Sequence, residues 1–200
     1  MSVTQHTRIK GFQSALAEGE KYELELGMWL AQRGWSSHKP TGWGGSGGKV
    51  PKIIIGAQYG KSAYLITAPD LDFSMPGQPS RYIQVKGKSS TYIDSKTKQP
   101  HVLLDQKDMH ELNAANKVKP AFLVVRFTGA EAINAYGEWV VIAADDLAED
   151  KIKLPMRPDK FKRNANGQPA GVFWIPVDLF QPLDEYLESL LPQPNEKDLA

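Results

Sequence analysis

The 200-residue chain has no cysteine, only four histidines and a formal net charge of +1. Without cysteine there is no disulfide, no thiolate zinc site and no cysteine nucleophile. The near balance of charge means that composition does not announce a nucleic-acid binder, so any basic surface has to arise from local clustering. No apolar run approaches the roughly 20 residues that span a bilayer. Residues Met1 to Lys10 also lack the apolar centre of a signal peptide. The expectation is a soluble, cytoplasmic protein with no membrane partner. His6, His38, His101 and His110 show neither HxH nor HxxxH ligand spacing, and His101 and His110 read as structural.

Glycine is plentiful, yet no phosphate loop is present. Gly48-Lys49 has Trp43 where the first glycine of a P-loop belongs and Val50 where Ser or Thr is required. Gly60-Lys61-Ser62 and Gly87-Lys88-Ser89 fail in the same way, with Ile55 and Tyr82 at the first position. A nucleotide cofactor is therefore not expected. Gly45-Ser46-Gly47 lacks the strand–turn–helix setting of a serine nucleophile.

The length suits one sizeable core. Residues 1–13 are polar and read as a flexible arm, and 192–200 as a polar tail. From Ser14 to Arg33 the spacing predicts a helix. Leu24, Met28, Ala31 and Trp35 form its apolar stripe, Tyr22, Leu26, Trp29 and Leu30 widen it, and Gly34 stops it. Glu20, Glu23 and Gly27 lie along one line beside that stripe. Residues 36–52 read as a glycine-rich loop in which Lys49 is a candidate nucleic-acid contact. Short strands are predicted at Lys52–Ile55 and Ala63–Thr67, the second continuing toward Phe73. Arg81–Val85 pairs with it as a hairpin. Residues 87–100 read as a polar loop. Asp105 is placed to cap a helix over Gln106–Lys117, and Ala121–Val125 is an apolar run suited to a strand covered on both faces. A strand at 137–143, a short helix from Asp145, a last strand at 171–176 and a helix capped by Asp178 complete the pattern, with Phe173 and Trp174 read as core. Residues 151–163 are basic. The order predicts one α/β domain, residues 14–191, with a mixed central sheet flanked by helices.

The chemistry concentrates in the hairpin. Strand side chains alternate, so Gln84 and Lys86 share a face opposite to Ile83 and Val85. Asp70 or Asp72 can lie across from them. A carboxylate with a second oxygen ligand suits a hard divalent cation. An ammonium nearby can orient water or stabilise charge on a phosphate. These parts fit metal-assisted phosphodiester hydrolysis.

With its surroundings, this set resembles the PD-(D/E)xK nuclease superfamily, whose fold is restriction-endonuclease-like. The matching residues are Pro69-Asp70, Gln84-Val85-Lys86 and the upstream helix bearing Glu23. That helix is similar to the one in archaeal-type Holliday-junction resolvases, where a Glu precedes a Gly-aromatic pair by about three turns, as Glu23 precedes Gly34-Trp35. The resemblance covers residues 14–145. The basic segment and the final strand and helix, within 151–191, lie outside it. It implies a Mg²⁺-dependent nuclease acting on DNA, an endonuclease, with Mn²⁺ as an alternative ion. By the same resemblance Asp70 and Gln84 bind the metal, Glu23 binds it directly or through water, and Asp72 is a second candidate ligand. Lys86 positions or activates the attacking water. Lys88 is a candidate phosphate contact and Gln106 a hydrogen-bond partner near the site. Lys160, Lys162 and Arg163 in the basic segment, with Lys49, are candidate DNA contacts. Small nucleases of this kind often form homodimers, although the sequence itself marks no interface. Gln84 departs from the pattern, because a carboxylate usually stands there. That departure leaves a second reading open: a weak or inactive nuclease-fold protein that binds DNA or a protein partner.

Overall fold

Ala121–Phe127 is the spine of the molecule: every residue in it except Arg126 is buried. Such a run has no polar face to turn toward water, so it needs cover on both sides. The cover comes from elements before and after it. The computed structural model describes residues 3–38, 53–54, 65–66, 70–75, 77–147, 156–163 and 169–191, with side chains described for 18–38, 70–75, 77–147 and 171–191. In chain order the elements are α1 (Val3–Gln32), β1 (Ser36–His38), β2 (Ile53–Ile54), β3 (Leu65–Ile66), β4 (Leu71–Ser74), β5 (Arg81–Lys88), β6 (Tyr92–Ile93), β7 (Pro100–Asp105), α2 (Gln106–Asn116), β8 (Ala121–Phe127), α3 (Ala130–Tyr136), β9 (Trp139–Ala143), β10 (Met156–Arg163), β11 (Pro169–Pro176), β12 (Gln181–Pro182) and α4 (Leu183–Ser189).

The six-stranded central sheet runs β1-β4-β5-β8-β9-β12. It is mixed: β5 and β8 are parallel, while β1–β4, β4–β5, β8–β9 and β9–β12 are antiparallel. A four-stranded sheet runs β10-β11-β7-β6, and β2 pairs with β3. Strand alternation then separates two cores. Ile83 and Val85 of β5 join Leu71, Phe73, Phe122 and Val124 with Leu26 and Leu30 of α1 and Leu183 and Leu187 of α4. Tyr82, Leu123, Val125 and Phe127 face the other way, onto Met109, Leu112 and Ala115 of α2 and Val102, Leu104, Phe173 and Ile175 of the smaller sheet. The chain is thus an α/β domain with a mixed central sheet flanked by helices, as expected. Among the described residues no helix is long and apolar enough to cross a membrane.

Several elements depart from the sequence reading. Helix α1 starts at Val3, well before Ser14. Residues 3–13 carry no apolar stripe, so periodicity could not reveal them. Within α1 the core-facing line is Leu26 and Leu30 with Tyr22 and Trp29 packed beside them. Leu24 and Met28, read as the main stripe, are 66% and 58% exposed. The helix is apolar on more than one side, and the sheet selects which side is covered. Ser36–His38 is an edge strand on β4 rather than loop, because backbone pairing, not apolar alternation, specifies it. Likewise 87–100 is not all loop: β5 runs to Lys88 and Tyr92–Ile93 forms β6 on β7. The helix expected from Asp178 is a 3₁₀ turn at Val177–Leu179, then β12, and α4 from Leu183.

Helix α1 sits close to β5 because position 87 is glycine. A Cβ there would run into the Tyr22 ring. Arg126 adds an ionic tie across the same contact, pairing with Glu25 of α1 and, at 2.8 Å, with Glu138. Gly87→Ala should lower stability by about 1–3 kcal/mol, the usual cost of overpacking, in urea unfolding. Tyr22→Ala in the same chain should make the added methyl nearly free of cost.

Tyr186 of α4 packs its ring on Phe122 at 5.0 Å. Burial pushes its phenol up from 10.0 to about 12, an effect partly offset by Arg81. The folded state therefore holds a proton that the unfolded state releases first. Stability should be intact below pH 10 and fall as pH rises from 10 to about 12. Tyr186→Phe should remove that part of the pH dependence.

Candidate active site

Leu71↔Ile83, Asp72↔Tyr82 and Phe73↔Arg81 fix the register of the β4–β5 pair. Asp70, the next residue out, therefore comes level with Gln84. Val85 is in register with Val124 of β8 but lies beyond the last β4–β5 pair, so on the β4 side its amide meets no strand carbonyl. The Asp70 carboxylate is its acceptor: Val85 N donates to Asp70 Oδ2 at 2.6 Å. This side-chain-to-backbone bond holds Asp70 against β5 at residues 84–85.

Gln84 and Lys86 lie on the α2 side of the sheet, the side that Tyr82 shares with the α2 core. The face carrying them is covered, and Gln84 is only 8% exposed. Lys86 Nζ meets Asp108 Oδ1 of the first turn of α2 at 3.1 Å. Two strand positions before Gln84, the opposed pair Asp72 and Tyr82 receives Lys119, from just beyond α2. Lys119 Nζ is 2.6 Å from Asp72 Oδ2 and 4.4 Å from the centre of the Tyr82 ring. Asp72 is 7% exposed, and its Oδ1 accepts no hydrogen bond among the described residues. The two aspartates thus have different partners: Asp70 holds a backbone amide, and Asp72 holds a lysine.

Glu23 is on the opposite side of the sheet. It lines an open groove of about 850 Å³ with Glu20, Gly27, Trp35, Ser37 and Leu71. The predicted line Glu20–Glu23–Gly27 is therefore one wall of a groove that reaches the residue next to Asp70. Asp70, Gln84 and Lys86 do not line it. Among the described residues, no group of three or more His, Asp or Glu side chains is placed to hold a metal ion.

Lys88 ends β5, and its carbonyl accepts from Thr128 N. Gln106 opens α2 and is exposed. Lys160, Lys162 and Arg163 belong to β10, an edge strand of the smaller sheet, in the stretch where its register with β11 shifts; their side chains are outside the described residues, as is Lys49.

Sequence reasoning missed Asp108, Glu111 and Lys119. Asp108 and Glu111 are one helical turn apart on α2, a spacing visible in the sequence, but nothing in it shows which face meets Lys86. Glu111 is buried, with Lys107 Nζ at 3.4 Å from an Oε1 that accepts no hydrogen bond among the described residues.

Asp72 tests the energetics of this face. Lys119→Met should leave its carboxylate buried without a cation. The expected loss is about 1–3 kcal/mol in urea unfolding, less than the ~3–5 for a fully buried pair, because Lys119 is partly solvated. Pairing it with Asp72→Asn should recover part of that loss.

No family model matches the sequence, and no curated protein matches it. Among solved structures the chain is similar to Hjc, a Holliday junction resolvase from the archaeal hyperthermophile Archaeoglobus fulgidus. The identity is 13% and the TM-score 0.47, over 88% of this chain and 99% of that one.

Proposed function

We propose that the chain is a divalent-metal-dependent nuclease that hydrolyses DNA phosphodiester bonds as an endonuclease, on a restriction-endonuclease-like core. The observation that carries this reading is the Asp70 carboxylate held on Val85 N, level with Gln84 in the β4–β5 register. Mg²⁺ is usually held by one or two carboxylates, with water and phosphate oxygens completing its shell. The donor set of Asp70 and the Gln84 carbonyl oxygen fits such a site without a three-carboxylate cluster. Asp72 and Glu23 are the further candidate ligands. Mg²⁺, or Mn²⁺ in its place, supplies Lewis-acid stabilisation of the phosphate and a more acidic bound water.

The protein side of the chemistry follows from these positions. Asp70 and Gln84 hold the ion end of the site. Lys86, one strand period from Gln84, orients the attacking water or meets charge developing on the phosphate. Lys88 continues that row toward the end of β5 as a phosphate contact. Lys49, Lys160, Lys162 and Arg163 extend the DNA contact, and a homodimer presents one such site to each strand. A second reading is favoured by one feature: Lys86 and Asp72 are both engaged in ion pairs. A protein that binds DNA or a partner with little or no cleavage uses them as struts.

Cleavage of linear, supercoiled and branched DNA with Mg²⁺ tests the first reading. The chain should cut at least one form and stop when the metal is chelated. Lys86→Ala should lose about 10²–10⁴-fold in rate while retaining DNA binding, the range for losing an acid–base group. No cleavage of any form with Mg²⁺ or Mn²⁺ contradicts the proposal. Salt-dependent binding without cleavage supports the second reading.

A further inference from the structure

Lys86 has four flexible methylenes, and a catalytic ammonium has to be in one place. The strand sets the direction in which the side chain departs but not where its end lies. What fixes the end is on another element. Asp108 Oδ1 is 3.1 Å from Lys86 Nζ, and the two side chains are only 18% and 25% exposed. Water screens such a pair less than one on the open surface.

Asp108 is itself well fixed. Its side chain is short, and its neighbour Met109 is 3% exposed in the core between α2 and the sheet. Leu112 and Ala115 continue that contact along the helix. At the far end, Lys119 binds Asp72 at 2.6 Å, so α2 is tied to the β4–β5 pair at both ends. The helix cannot slide without breaking one of these ties.

We propose that Asp108 is the positioning residue for Lys86: through their ion pair, α2 sets where the Lys86 ammonium stands beside Asp70 and Gln84. This inference rests on the nuclease reading, because it gives Lys86 a position that matters for cleavage. Asp108 acts through Lys86 and touches no reacting atom.

The experiment compares wild type, Asp108→Asn, Asp108→Glu and Lys86→Ala. One readout is Mg²⁺-dependent cleavage of the DNA form that wild type cuts, resolved into kcat and KM. The other is ¹H–¹³C NMR of the lysine side chains, with the Lys86 signal assigned by its absence in Lys86→Ala. Asp108→Asn should lower kcat by about 10²-fold, the effect of roughly 1 Å of misplacement, with KM nearly unchanged. Asp108→Glu should regain most of the loss. The Lys86 Cε signal should be ordered in wild type and motionally averaged in Asp108→Asn. A purely structural role moves thermal stability but gives no kcat-specific loss and no rescue by Glu. The inference is overturned if Asp108→Asn keeps the wild-type kcat, or if Lys86 is equally ordered with and without the carboxylate. Inactive wild type refutes the nuclease reading and the positioning role of Asp108 with it. Active wild type with a fully active Asp108→Asn refutes the inference alone.

Discussion

The structure depends on the clasp between α2 and the β4–β5 pair. Lys86 binds Asp108 at one end of the helix, and Asp72 binds Lys119 just past the other. Between them the interface is apolar, with Met109, Leu112 and Ala115 against the sheet. Charges in such an interface are tolerated only when paired, because an isolated buried charge costs several kcal/mol or more. Partly buried pairs of this kind contribute little net stability, but they discriminate between arrangements. Sliding α2 along the sheet would strand two carboxylates and two ammonium groups at once. The polar row of β5 is therefore held in one geometry, and Gln84 sits inside it.

The other face is built differently. There α1 packs Leu26 and Leu30 on the sheet, Gly87 lets the helix approach, and Arg126 ties it down through Glu25. With both faces covered, β5 has no freedom to twist or slip, and Asp70 inherits that rigidity through its bond to Val85 N. A hydrolytic centre gains from this, since preorganised groups do not have to be gathered at the moment of reaction. Glu23 belongs to the α1 side and shares with Leu71 of the hairpin the groove that both line.

The sequence made visible what periodicity encodes. The β4–β5 hairpin, α2 and the continuous apolar strand β8 were all legible, because each has a strong local pattern. So was the mixed sheet, from the order of these elements. The edge strand β1 and the Tyr92–Ile93 strand were not, since their pairing partners, rather than their own residues, specify them; the seven residues of α3 are too few to show a helical repeat. Alternation placed Asp70 and Asp72 on one face but could not separate them. Their difference comes from where the ladder ends, which frees the Val85 amide, and from Lys119, nearly 50 residues away. Asp108 was illegible for the same reason, since a helix spacing does not say which strand residue it will meet. Leu24 and Met28 show the converse: strong periodicity on a side of α1 that the sheet does not cover.

The central claim is that Asp70 and Gln84 form the oxygen pair of a divalent-metal site beside Lys86. The most direct measurement is a crystal structure of the chain with Mn²⁺, located by its anomalous scattering. The account predicts a peak about 2.1 Å from an Asp70 carboxylate oxygen and the Gln84 carbonyl oxygen, lost in Asp70→Asn. A Mn²⁺ peak elsewhere, or none at saturating metal with Asp70 still bound to Val85 N, would contradict it.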